Sequence, residues 1–209
     1  MSSANRLLIF LFLGIFSSSL YTVDVSSFDI KGIKLRMSKS EVLKNISCQN
    51  HKIKKSIIDT INGKKLIVET ISCENGIEDI HIYLDKNGRV YNIDRVLSFK
   101  VEPSLKKIKN KAINHYGKPN NRILGSSDSR VWQMCWGQCG RPGNYGYYPQ
   151  YARNSQYLTI GAFRYSDNNI KIFFTMDDTK LSRLNKSWIK EQELLYEKQQ
   201  KEKASNIDF

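Results

Sequence analysis

Charge is nearly absent from the first 23 residues, where Arg6 stands alone. An unbroken ten-residue apolar run, Leu7 to Phe16, follows it, and then the small cluster Ser17-Ser18-Ser19. A basic start, an apolar core and small residues are the order of a secretory signal peptide. Such a run rises only about 15 Å as a helix, half of the roughly 30 Å hydrocarbon layer, which argues against a spanning anchor. No cysteine follows the run, so a bacterial lipid anchor at that point is excluded. Residues 1–19 are expected to be an export signal and the rest of the chain to be periplasmic or secreted.

Histidine is also scarce. His51, His81 and His115 are scattered singly, whereas a zinc site needs ligands at short paired spacings. Gly-x-Ser-x-Gly and His-Glu-x-x-His are both missing. Glu74, Glu78 and Asp79 lie close in sequence but alternate sides of an expected strand, and His81 falls on its polar face beside Ile80 and Ile82, so all four read as surface groups. Cys135 or Cys139 with His115 can be drawn as a cysteine-hydrolase pair, but a bonded sulfur is no nucleophile. No metal, cofactor or catalytic constellation is expected, and the residues lean away from an enzyme without closing the question.

The four cysteines are Cys48, Cys73, Cys135 and Cys139. An even count in an exported chain reads as two disulfides. Three pairings are possible. The local one, Cys48–Cys73 with Cys135–Cys139, keeps each bridge inside one half of the chain and is the expected one. The charge is lopsided, 33 basic against 20 acidic residues and +13 net. That favours anionic or acidic partners, with a lysine-rich solvated surface as the plainer alternative. Export makes nucleic acid the weakest partner candidate.

Two stretches follow one plan. The first, 20–101, opens with a short strand at Phe28–Ile33, and then Ser38 with Glu41 forms a capping box that starts a helix burying Val42, Leu43 and Ile46. Strands are expected at Lys65–Ser72, Ile77–Leu84 and Arg89–Phe99, the last two joined by the turn Asp85-Lys86-Asn87-Gly88. The second, 102–178, opens with a helix over Ser104–Tyr116 that carries Leu105, Ile108, Ala112, Ile113 and Tyr116 on one face and stops at Gly117. Strands are expected at Arg130–Trp136, Gln156–Arg164 and Ile170–Met176. Residues 179–209 read as a charged C-terminal helix docking through Leu181, Leu184, Trp188 and Leu195 and fraying from Glu197 onward. Helix-then-meander twice predicts an α+β fold, two units of one helix and about three antiparallel strands packed together.

Gly32 to Ser38 (GIKLRMS), with Glu41 and Val42, resembles the G-x-x-x-G-M-[ST]-x-x-x-V opening of small bacterial envelope domains. These are the small outer-membrane lipoprotein A family and the relatives of β-lactamase inhibitor protein. Tyr116-Gly117-Lys118-Pro119 is similar to the helix exit of the same domains, followed by strands with a tryptophan, here Trp132. The resemblance implies a helical segment on a small antiparallel sheet, in tandem copies, and a protein-binding module rather than a defined activity. Arg36 stands where the motif has glycine, Tyr-Gly-Lys-Pro occurs only in the second half, and the lipidation cysteine is missing; these departures weigh against a role in outer-membrane assembly.

A long loop, residues 137–153, separates two strands of the second half and is rich in glycine and tyrosine. Loops of this length in compact domains are often functional. Tyr145, Tyr147, Tyr148 and Tyr151, flanked by Arg141 and Arg153, combine rigid aromatic area with forked donors, the residue types enriched in interface hot spots. The plainer alternative has some of these tyrosines covering the sheet. The expected function is an exported, disulfide-stabilised, non-catalytic binding module contacting a protein or an anionic envelope component, with membrane contact only through the signal. The alternatives are a secreted hydrolase acting on cell-wall or glycan material and a secreted effector of a host-associated bacterium.

Overall fold

In the computed structural model the described residues are 23–48, 51–59, 65–101, 103–124, 130–139, 142–143, 146–147, 155–164 and 169–205. The expected signal peptide lies outside them. Helix α1 (Lys39–Asn45) begins where its capping box predicts: Glu41 N–H donates to Ser38 Oγ, and the Glu41 carboxylate accepts from Ser38 N–H. Val42 is fully buried, with Leu43 and Ile46 packed beside it. Helix α2 (Leu105–Tyr116) buries Ala112 and rests Leu105, Ile108, Ile113 and Tyr116 on the core.

One eight-stranded antiparallel sheet organises the chain. Its strands are β1 (Lys52–Asp59), β2 (Lys65–Glu74), β3 (Glu78–Leu84), β4 (Val90–Phe99), β5 (Asn121–Leu124), β6 (Arg130–Gly137), β9 (Gln156–Arg164) and β10 (Ile170–Asp178). A separate two-residue pairing joins β7 (Pro142–Gly143) to β8 (Gly146–Tyr147). The spatial order is β1-β2-β3-β4-β10-β9-β6-β5, so the last strand of each half meets at the centre. Each half contributes four strands. The sequence reading missed β1, a lysine-rich strand with weak alternation, and β5, only four residues long.

The register sorts the side chains into rows across the sheet. One row runs Ile53, Ile71, Ile82, Ile93, Met176, Leu158 and Trp136, one residue per strand from β1 to β6. Every member but the edge residue Ile53 is fully buried. Period-two alternation places this row, and every second row, on one face. Val25, Ile30, Ile33, Leu35, Val42 and Ala112 pack onto that face and complete the core. Trp136 fixes its orientation by donating Nε1–H to Gly117 O at 2.9 Å. Burying its indole here is worth roughly 3 kcal/mol or more.

Three expectations need correction. Phe28–Ile33 is not a sheet strand: Ile30 and Ile33 bridge each other in a tight turn, with Lys31 at φ 58°. Helix α3 (Thr179–Ser205) does not fray at Glu197 but continues to Ser205. Its expected docking stripe is also incomplete, because Leu181 and Asn185 are buried whereas Leu184 and Leu195 are at least half exposed. Among the described residues, the sheet meets α3 mainly through its first turns, where Leu181 and Asn185 are buried. Among the described residues, no helix is long and apolar enough to cross a membrane.

Both disulfides are the local ones. Cys48 pairs with Cys73 across 25 positions, tying the segment after α1 to β2. Cys135 pairs with Cys139 across four, closing the exit of β6.

Candidate functional site

The opposite face of the sheet carries a different alphabet. One row reads Lys54, Thr70, Tyr83, Asn92, Asp177, Tyr157 and Gly137, and the next reads Lys52, Ser72, His81, Asp94, Thr175, Thr159 and Cys135. These polar and aromatic residues occupy the positions between the buried apolar ones, so the same alternation that builds the core places them here. Among the described residues, the first turns of α3 are the only helical cover near this face.

At the centre, where β4 meets β10, Tyr83, Tyr91, Asn92, Asp94, Tyr157 and Asp177 line a cleft of about 310 Å³, with Arg183 and Lys186 of α3 on its rim. Asp177 is buried and accepts from Asn92 Nδ2 at 3.4 Å. Burial pushes its carboxyl up to about 6; the Asn92 hydrogen bond and Lys186 oppose the rise, and the carboxylates of Asp178 and Asp94 add to it. Burial likewise raises Asp94, against the Thr175 hydroxyl that donates to it at 2.8 Å and against His81, its cross-strand neighbour. The Tyr157 phenol is raised far above its ordinary value, first by burial and then by Asp177 and Asp94. Burial also lifts Tyr91 to about 12. Asn92 Oδ1 is buried with no hydrogen-bond partner among the described residues. The cleft is therefore rich in acceptors and holds a carboxyl group poised to titrate near neutrality.

The tyrosine loop lies largely outside the described residues, which exclude Arg141, Tyr145, Tyr148, Tyr151 and Arg153. Tyr147 is described in its backbone alone, paired with Pro142. The root of the loop is well placed. Cys135 and Cys139 form a small buried cluster with Tyr157, and Gln138 N–H donates to Gln156 O at 3.3 Å. Tyr157 is also a wall of the cleft, so loop root and cleft adjoin.

Sequence reasoning missed Asn92, Asp94, Tyr157 and Asp177, because β4 and β10 are far apart in sequence and nothing local announces their pairing. It read His81 as an isolated surface group; here it is half-buried opposite Asp94. Glu78 is not a plain surface charge either, since it pairs with Arg95 and Lys31 on the helix side. All four cysteines are bonded, which leaves His115 without the thiol of a cysteine-hydrolase pair. No group of His, Cys, Asp and Glu among the described residues could hold a metal ion. No protein-family model, no curated protein and no solved structure matches this chain.

Proposed function

We propose that this chain is an exported, disulfide-stabilised, non-catalytic binding module that grips a protein partner in the periplasm or outside the cell. The observation that carries the reading is the asymmetry of the sheet. One face is covered by α1, α2 and the N-terminal segment, while the other carries two rows of polar and aromatic residues, half of them buried, around a cleft that holds Asp94 and Asp177. A protein surface fits such a broad face better than an anionic envelope polymer does, since buried carboxylates repel anions. The root of the tyrosine loop, fixed by Cys135–Cys139 against Tyr157, adjoins that cleft.

The chain is also read as two equivalent units. The strand order mirrors about the β4–β10 pair, and each half places one helix before its four strands of the large sheet. This agrees with the tandem small envelope domains that the GIKLRMS and YGKP segments resemble.

Pull-down from envelope extracts tests the reading, comparing the parent protein with Val96→Asp on the polar face, Tyr147→Ala/Tyr148→Ala on the loop and Lys106→Glu on the exposed side of α2. Partners lost with either of the first two variants and kept with the third support it. Identical partner sets for all four proteins sink it.

One observation favours the hydrolase alternative: two carboxyls of raised pKa share a cleft, a pattern common in active sites. Glycan hydrolysis by the purified protein, lost in Asp177→Asn, would move the reading to that class.

A further inference from the structure

The helix side of the sheet contains one row that breaks the apolar rule. Cys73, Ile80, Arg95, Phe174, Ile160 and Met134 run across β2, β3, β4, β10, β9 and β6. Five of the six are buried and apolar, and the sixth is an arginine at the centre of the row. Its guanidinium carbon lies 4.9 Å from the centroid of the Phe174 ring. Its Nε and Nη2 are both taken by Glu78 Oε1, which leaves Nη1 without a partner among the described residues. A cation in such a row carries a desolvation penalty, set here against the largely buried carboxylate of Glu78.

Above Arg95 the packing is open. A cleft of about 620 Å³ lies between α2 and the sheet, the largest of those described, and within the roughly 300–1,000 Å³ typical of small-molecule sites. Leu97 and Phe174 form its floor. Ile108, Lys111, Ala112 and His115 form its wall, at the spacing that sets one face of a helix. Tyr116 closes it, its hydroxyl donating to Asp29 O at 2.8 Å. Lys111 is exposed and has no ion-pair partner among the described residues. Lys31 reaches the rim and shares Glu78 with Arg95 at 3.5 Å. The opposing charges are Glu78, occupied by those two cations, and Asp29, whose carboxylate accepts from Gly32 N–H at 2.7 Å. Three cations therefore face two engaged carboxylates around an apolar floor.

We propose that this cleft binds a small amphipathic anion, an acyl chain ending in a carboxylate. The chain lies on Leu97, Phe174, Ile108 and Ala112, and the carboxylate bridges Arg95 Nη1 and Lys111 Nζ. A neutral ligand leaves both donors unused, and a small polar anion leaves the apolar floor wet. The site lies on the opposite side of the sheet from the proposed partner surface and does not depend on that reading.

Titration calorimetry of the purified protein with dodecanoate tests the proposal, alongside acetate, which has the head without the tail, and dodecyltrimethylammonium, which has the tail with the opposite head. Single-site saturable binding of dodecanoate alone is expected, with backbone NMR shifts moving at Leu97, Ala112 and Phe174. Lys111→Glu, which should melt close to the parent because the side chain is exposed, should weaken binding at least tenfold, and Lys111→Arg should retain it. No saturable dodecanoate binding, equal binding of the cationic detergent, shifts confined to other residues, or parent-like affinity in Lys111→Glu each overturns the proposal.

Discussion

Arg36 and Asp178, 142 positions apart, meet with Arg36 Nε 2.9 Å from Asp178 Oδ2. Asp178 is almost wholly buried and caps α3, its Oδ1 accepting from the Lys180 and Leu181 N–H groups at 3.1 Å. Oδ2 accepts from Gln156 Nε2 as well, at 2.9 Å. Arg36 makes this contact from a left-handed backbone, φ 67°, pinned by its own N–H to Val90 O at 2.7 Å. Its place is the one where the resembled motif has glycine, and the conformation is one glycine adopts freely. The arginine accepts the strain and in return joins the N-terminal segment to the end of the last strand.

That arrangement makes Arg36→Ala and Arg36→Gly separable. Both remove the guanidinium, but alanine keeps the left-handed strain of about 1 kcal/mol that glycine relieves. Since the arginine side chain is more than half exposed, the lost pair is worth only about 1 kcal/mol. Urea unfolding should rank the parent most stable, Arg36→Gly close below it and Arg36→Ala lowest. A glycine variant weaker than the alanine variant contradicts the account.

The neighbouring carboxyls Asp177 and Asp178 should bend the stability profile in opposite directions. Asp177 is raised in the folded state, so its contribution is complete below the ordinary carboxylate range and is lost as pH rises through about 6. Burial works to raise Asp178 too, but hydrogen bonds from Gln156, Leu181 N–H and Arg36 outweigh it and hold the group low. Its contribution is present at neutral pH and is lost on acidification below its ordinary value. Asp177→Asn should accordingly stabilise the protein at pH 7.5 by up to about 3 kcal/mol and leave stability at pH 3 unchanged. Thermal melts at the two pH values check this, and a destabilised variant at pH 7.5 refutes it.

Reduction should have two unequal effects. In the chain-entropy description the 25-position loop of Cys48–Cys73 is worth about 3 kcal/mol. The loop of Cys135–Cys139 is worth less, about 2 kcal/mol at most, and acts chiefly on the root of the tyrosine loop. Paired Cys→Ser variants measured by denaturant unfolding should preserve that order.

Gly137 and Gly76 share a backbone at φ 80° but not a neighbourhood. A Cβ on Gly76 meets nothing within 4 Å, whereas one on Gly137 would lie 2.4 Å from Gln156 O and 2.5 Å from Val25 Cγ2. Gly76→Ala should therefore lose about 1 kcal/mol from conformation alone. Gly137→Ala should lose several times that, because the clash is with backbone in the row joining β6 to β9.

Local signals were legible in the sequence. The Ser38–Glu41 box, the Asp85–Gly88 turn, strand β9 and both disulfides follow from neighbours within a few residues or from the parity of cysteines. What escaped depended on distance along the chain. Lysines mask the alternation of β1, and β5 is too short to show a period. The meeting of Asn92 with Asp177, 85 positions away, leaves no mark on either segment. Asp177-Asp178 between an apolar strand and a helix did carry a readable hint of the α3 cap, but not of the cleft.

Strand β10 fills the slot between β4 and β9, so neither of those strands is paired on both sides until the last strand has been made. A chain emerging from the ribosome would leave the β4 edge open from residue 99 until residues 170–178 are made, and the central pairing demands the slow closure of a long loop. Such a polypeptide stays unfolded late. That delay makes truncation anywhere before Asp178 a route to aggregation rather than to a smaller stable domain.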